Sequence, residues 1–282
     1  MNSKMDLHMH SKASDGTDWI PALLRKIQQL DIKTFSLTDH DTIKGVLRMQ
    51  KILPEEITFI RGIELSCRTE VAKCHILGYR YDLDNEAFLA FVEEAFEVRM
   101  KKAHDRLCYV EKDLGIPLTE KEKQEQLKKP GKQKLAELLV KKLQKEHPGI
   151  TKNDIFNIYF KKLPSGRVDA IRAIKAIKAA GGIAVWAHPL GGTGEKRLSE
   201  EQFRAQLDLL CSVGLDGLEC YYSEYTKEEI EMLCDAATQK GLKISGGSDY
   251  HGTRKPHLHL GMLNKNDLIV DETKLTILES LK

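Results

Sequence analysis

MDLHMHSKASDG, residues 5–16, opens the chain with an apolar run carrying His8 and His10 two positions apart, then a turn at Ser14-Asp15-Gly16. Side chains alternate along a strand, so both imidazoles share one face. One His-x-His is weak on its own, because His257 and His259 repeat the spacing in a polar loop with no carboxylate nearby in sequence. That second pair reads as structural. The first gains weight because comparable groups recur in TDHD (38–41), GIE (62–64), CHILGY (74–79), AHP (187–189) and GSDYHG (247–252). Most follow an apolar, β-branched run of the kind that forms a buried strand. Taken singly, each reads at least as well as a hydrogen-bonded histidine or a turn aspartate. Taken together, acids and imidazoles at successive strand ends are a set arranged around one point.

Working outward from these motifs, apolar runs alternate with amphipathic stretches. Met5–Met9, Lys33–Thr38, Ile57–Leu65, Ile183–Ala187, Leu215–Cys220 and Leu242–Ser245 read as strands, with Cys67–Val71 and Cys74–Tyr81 as a short pair. Trp19–Leu30 reads as a helix capped by Thr17 or Asp18, with Pro21 in its first turn. Ile43–Lys51, Val168–Ala180, Ser199–Val213, Lys227–Lys240 and Lys274–Leu281 complete the helices around the motifs. Strand-then-helix repetition predicts an α/β fold with mainly parallel strands. Residues 86–166 differ: they show helical periodicity without a strand, beginning with one long helix over Glu86–Leu114. They read as a helical insertion, which divides the chain into a barrel over 1–85 and 167–282 and a subdomain over 86–166. In a parallel barrel, functional side chains lie at the C-terminal ends of strands, where most of this set falls.

The bulk numbers exclude more than they select. A chain of 282 residues with net charge +2 gives no global case for a nucleic-acid or membrane-surface protein. The charge is uneven, however: residues 99–149 hold 14 Lys/Arg against 8 Asp/Glu. This is either a solvated helical surface or a basic segment that favours an anionic substrate. The six cysteines form no CxxC pair and suit a reducing cytoplasm. No apolar run approaches membrane-spanning length and no secretory h-region is present, so the expected location is cytoplasmic.

The chemistry of the set is that of divalent metal. Histidine with carboxylate and without thiolate suits Zn²⁺, Mn²⁺ or Fe²⁺. His8, His10, Asp15, His40, Glu64, His75, His188, Asp249 and His251 outnumber what one ion accepts, since zinc takes about four ligands and octahedral ions about six. Two to three ions are therefore expected, with manganese first and iron or zinc as alternatives. Glu64 is suited to bridge two of them through its two oxygens. Water held between such ions loses a proton near neutral pH, and the ions neutralise charge on a phosphoryl group. Amide hydrolysis could use the same site.

In order along the chain, DLHMHSKASDG, FSLTDHDT, GIELS, HILGY, AHPLGG and SGGSDYHG resemble the motifs of the PHP (polymerase and histidinol phosphatase) superfamily. The likeness is greatest to its stand-alone bacterial metal-dependent phosphoesterases of the TrpH type. The resemblance implies a distorted (β/α)₇ TIM-like barrel with a helical insertion and a trinuclear site. Carried over residue by residue, it places His8, His10, Glu64 and Asp249 on one ion. Asp15, His40 and His251 fall on a second, and Glu64, His75 and His188 on a third. Asp39 matches a position beside the site and is the candidate for proton handling. The implied substrates are small phosphorylated metabolites or nucleotides, such as 3′,5′-bisphosphonucleosides or short RNA; neither membrane nor duplex DNA is an expected partner.

One segment departs from the pattern. Relatives carry Arg-Pro-His after a glycine in the insertion, where it helps hold substrate phosphate, whereas this chain has Gly131-Lys132-Gln133-Lys134. Lys132 and Lys134 supply charge without a planar bidentate fork. Arg99, Arg167 and Lys255 are the other candidate phosphate ligands. The alternatives within the superfamily are a histidinol phosphatase and a cyclic ribose phosphate hydrolase. Outside it stand a non-catalytic metal-binding module and an RNA-binding module using the basic insertion, which lacks the interleaved aromatics of a stacking platform.

Overall fold

The computed structural model describes residues 3–128, 130–193 and 196–281. It divides into two compact units, Met1–Ala95 with Val168–Lys282, and Phe96–Arg167. One division falls inside a long helix and the other just before a strand.

The first unit is a nearly closed, barrel-shaped sheet with helices around it. Its strands are β1 (Met5–Asp6), β2 (Thr34–Leu37), β3 (Thr58–Arg68), β4 (Lys73–Tyr79), β5 (Val168–Asp169), β6 (Ile183–Ala187), β7 (Gly217–Tyr222) and β8 (Lys243–Gly247). The sheet runs β1-β2-β3-β4-β6-β7-β8, with two-residue β5 beside the end of β3. Backbone bonds from Leu7 to the Gly246 carbonyl (3.2 Å) and from Asp249 to the His8 carbonyl (2.8 Å) bring β8 back to β1. Pairing is parallel except at β4, which is antiparallel to both β3 and β6.

Each helix of this unit has a local cause. In α1 (Ile20–Gln29), Ile20, Leu23, Leu24 and Ile27 form a buried stripe at helical spacing against Phe35 and Leu37. The unit continues with α2 (Lys44–Met49) and enters α3 (Glu86–Lys112). After the insertion come α7 (Ala170–Ala179), capped by Asp169, and α8 (Glu200–Ser212) and α9 (Lys227–Gln239), which start in capping boxes at Ser199 and Thr226. A four-residue α10 (Leu278–Leu281) closes the described chain. Between α3 and β5 lie α4 (Glu120–Lys128), α5 (Lys132–Leu143) and the single turn α6 (Lys152–Asp154). With the end of α3 they bury Val110, Ala136, Leu139 and Ile155 in the second unit's own core.

Several elements differ from their sequence reading. β3 and the expected Cys67–Val71 strand are one continuous strand, because Thr69 closes a tight turn to Ala72 and registers Cys67 opposite Cys74. The expected helix at Val168 begins two residues later, since Val168 pairs with Cys67 as β5. The first strand is short: beyond Asp6 the chain stays extended but leaves the ladder, with Met9 bridged to Tyr250. Neither Thr17 nor Asp18 caps α1; Trp19 occupies that position without a side-chain bond.

Candidate metal centre

The nine proposed ligands converge in the barrel unit. His10, Asp15, His40 and His251 form one group whose potential ligand atoms all lie within 4.8 Å of one another. His8, His10 and Asp249 form a second, His8, Glu64 and His188 a third, and His40, Glu64 and His75 a fourth. All but Asp15 and His40 are buried, and those two are half-buried.

Topology explains the meeting. His8 and His10 follow β1, Asp39 and His40 follow β2, His188 follows β6, and Asp249 and His251 follow β8. Glu64 lies within β3 instead of closing it, and His40 bridges to it backbone to backbone. His75 stands near the start of β4, yet reaches the same rim because β4 runs backwards. It registers opposite Ser66 on one side and Ala187, the neighbour of His188, on the other. His188 (φ 29°) and Asp249 (φ 54°) both adopt left-handed backbone, uncommon for residues with a side chain and concentrated at functional sites. Gly247 permits the close approach behind them: a Cβ there would lie 2.2 Å from that of His8.

The electrostatics call for cations. His10 Nε2 faces His8 Nε2 at 3.2 Å and His75 Nδ1 faces His188 Nε2 at 3.2 Å, so ring nitrogens point at one another. Glu64 Oε2 lies 3.4 Å from His8, 3.2 Å from His10 and 2.9 Å from His40. Its Oε1 lies 3.1 Å from both His75 and His188. Despite that closeness, Glu64 Oε2, His40 Nδ1 and His10 Nδ1 are buried without an aligned hydrogen-bond partner. Buried polar atoms left unsatisfied in this way are costly unless a ligand satisfies them. A nitrogen-and-oxygen donor set with its lone pairs converging fits divalent cations.

The imidazoles are also driven apart in basicity. Burial pulls His40 down to about 4 against the attraction of Glu64 and Asp15. Burial acts the same way on His10, but the nearby carboxylates of Asp249 and Glu64 overcome it and lift His10 to about 9. Burial opposes ionisation of Glu64, yet the surrounding His40, His75 and His8 hold it well below the usual carboxylate range.

Residues around the set orient it. Glu219, fully buried within β7, meets His8 Nδ1 through Oε1 at 2.9 Å and accepts the His188 backbone N–H through Oε2 at 2.6 Å. A shift in the β7–β8 register between Glu219 and Tyr221 marks an irregularity beside it. Asp6 accepts from Ser248 and from the Gly261 N–H, while Asp41 accepts from Ser66. The Tyr222 hydroxyl donates to Asp249 Oδ2 at 2.9 Å. The sequence reading missed these groups, although an acid inside the apolar run of β7 was a visible signal for Glu219.

Asp39 is tied up by three donors: Ser11 N (2.9 Å), Ser11 Oγ (2.7 Å) and Ser14 Oγ (2.6 Å). It holds the loop that presents Asp15. Of the candidate phosphate ligands, Lys255 lies in the centre, with Nζ 2.6 Å from Asp249 Oδ2. Arg254 joins it, 3.6 Å from Asp15. The other candidates belong to the second unit. Arg99 reaches the Pro130 carbonyl at 3.4 Å, and Lys132 lies 4.8 Å over the Phe156 ring. Lys134 donates to the Glu125 carbonyl, and burial, with the charges of Arg99 and Arg167, pushes Arg106 down to about 10. His257 pairs with Glu224 at 3.2 Å, outside the metal-ligand groups found among the described residues.

Comparison with known proteins agrees with this geometry. The PHP domain model matches residues 6–163. The chain belongs to the PHP domain family. It is 30% identical over 263 residues to a 5′-3′ exoribonuclease of Haemophilus influenzae, covering 89% of this chain and 91% of the relative. It is 27% identical over 267 residues to a phosphoribosyl 1,2-cyclic phosphate 1,2-diphosphodiesterase of Eggerthella lenta, covering 90% and 97%. Among solved structures, a Bifidobacterium adolescentis protein assigned as a metal-dependent phosphoesterase superposes with a TM-score of 0.75. That match is 27% identical and covers 95% of this chain and 96% of the other. As a PHP phosphoesterase the protein is a hydrolase, and the family's metal dependence agrees with the donor set. Among the described residues, no helix is long and apolar enough to cross a membrane.

Proposed function

We propose that the protein hydrolyses a phosphate ester of a nucleotide or short oligoribonucleotide at a centre of up to three divalent ions, with manganese the first to test. His8, His10, Glu64 and Asp249 would hold one ion, Asp15, His40 and His251 a second, and Glu64, His75 and His188 a third. The observation that carries this reading is Glu64, whose two oxygens face separate histidine sets, an arrangement that would suit a carboxylate shared between cations. When bound, such ions make a nucleophile of water near neutral pH and neutralise charge on the phosphoryl oxygens.

The chain's own side chains do the rest. Glu219 fixes the ring orientation of His8 and the backbone at His188. Asp39 and Asp41 anchor the strand-end loops. Lys255 and Arg254 place positive charge beside Asp249 and Asp15, where an anionic substrate would need it. The Haemophilus relative, named for cleaving RNA, supports the nucleotide class. The Eggerthella relative favours a second reading, hydrolysis of a cyclic ribose phosphate. The test is hydrolysis of a short oligoribonucleotide, a cyclic ribose phosphate and an aryl phosphate by manganese-loaded protein. Turnover of at least one ester is expected, abolished by His8→Ala or Asp249→Ala; undiminished turnover in either variant would remove the metal centre from the reaction.

A further inference from the structure

The protein contains two tryptophans, and they differ completely. Trp186 is 1% exposed and stacks on Phe203 inside the barrel unit. Trp19 is 58% exposed. A lone exposed apolar side chain needs no explanation in general. Trp19 is unusual in where it is fastened.

The turn that ends in Trp19 is bound to the segment presenting Asp249 and His251. The Thr17 N–H donates to the His251 carbonyl at 3.1 Å. Thr17 Oγ1 in turn accepts from Thr253 N at 2.9 Å. Asp18, the residue before Trp19, accepts from the hydroxyl of Tyr250, which sits between Asp249 and His251, at 2.7 Å. Lys26 reaches the same Asp18 oxygen at 2.7 Å. From the other side, Lys12, two residues past His10, bonds through its backbone to the Asp18 carbonyl at 2.8 Å. Its ammonium lies 4.0 Å from the centre of the indole. Thr17 and Asp18, whose side chains would ordinarily cap α1, are spent on these ties, which fasten the chain on either side of Trp19's own position, four residues after Asp15. The turn before this solvent-facing ring, with a cation against it, is thus tied to the segment 250–253, whose neighbours Arg254 and Lys255 carry their own charges to Asp15 and Asp249.

We propose that Trp19 is a stacking platform for a nucleobase of the substrate, a specificity-determining residue that selects nucleotides over phosphate esters lacking a base. Every base has a π-face, so stacking tolerates any sequence while requiring a base. Lys12 adds a cation that both indole and phosphate attract. The proposal rests on the reading of the centre as a phosphoesterase of nucleotides, and its test separates the two.

Adenosine 5′-monophosphate is titrated into metal-loaded protein while tryptophan fluorescence is followed, with ribose 5-phosphate as the base-free control. The nucleotide is expected to quench saturably and ribose 5-phosphate to leave the signal unchanged; in Trp19→Phe, where only buried Trp186 remains, the quench disappears. Trp19→Ala is expected to weaken nucleotide binding roughly ten- to a hundred-fold. It should raise KM for an oligoribonucleotide similarly while leaving kcat within about twofold, because a stacked base is held alike in the ground and transition states. Trp19→Tyr should restore much of the affinity. Absence of quenching, or an equal loss of nucleotide and ribose 5-phosphate binding in Trp19→Ala, overturns the proposal. Quenching without turnover of any phosphate ester would instead sink the phosphoesterase reading and leave the base platform standing.

Discussion

Glu219→Gln tests whether the centre depends on a carboxylate that lies outside the candidate ligand groups. Glu219 is fully buried and both oxygens are engaged, one by the His8 ring at 2.9 Å and one by the His188 N–H at 2.6 Å. Glutamine keeps the shape but has one acceptor oxygen, so its amide N–H₂ must face one of those two donors. Losing one bond to a charged acceptor costs roughly 1.5–3 kcal/mol. The part of that cost expressed in ligand orientation should appear as metal affinity weakened roughly ten- to a hundred-fold, or about 1.4–2.7 kcal/mol. Calorimetric titration of metal-stripped protein measures this directly, and thermal unfolding with and without metal separates it from general destabilisation. A variant that melts lower to the same extent in both states, yet binds metal with wild-type affinity, would show that Glu219 holds the barrel and not the ligands.

The same geometry sets four further outcomes. Gly247→Ala places a methyl 2.5 Å from the His8 backbone nitrogen, so β1 and β8 must separate; urea unfolding should show a loss of about 1–3 kcal/mol with reduced metal content. Asp39→Asn leaves one acceptor oxygen for Ser11 and Ser14, loosening the loop that carries Asp15, and elemental analysis should find less metal per chain than in the wild type. Metal affinity should rise with pH toward about 9, because the His10 proton must leave before the ring can bind an ion. Without metal the sign reverses for that residue: raised above its unfolded value, His10 stabilises fully below about 6.5 and loses this contribution as pH climbs through about 9. His40, lowered to about 4, costs stability as pH falls from about 6.5 toward 4. Denaturation of metal-free protein across this range should therefore show a maximum between the two flanks.

Much of the centre was legible because its donors sit beside local signals. His8 and His10 announce themselves by strand alternation, and His40, His188, Asp249 and His251 by following apolar runs that do become strands. What escaped reading depended on long-range pairing. Glu219 and His8 are 211 positions apart, and an acid within an apolar strand does not say which imidazole it will meet. Thr17 and Asp18 have the chemistry of helix caps, yet a tertiary tie to residues 250–253 outcompetes capping.

By itself, the order of residues determined which donors exist and how far apart they stand on each strand, because alternation and helical period are properties of neighbouring peptide units. It also determined the family, through six motifs in sequence. Only the tertiary structure decided that β4 runs backwards and so delivers His75 to the rim shared with His188, and that Glu64 turns one oxygen to each histidine set. The physical reason is that ladder direction and the facing of buried polar atoms are settled by burial and hydrogen bonding between segments far apart along the chain, and no local period encodes either.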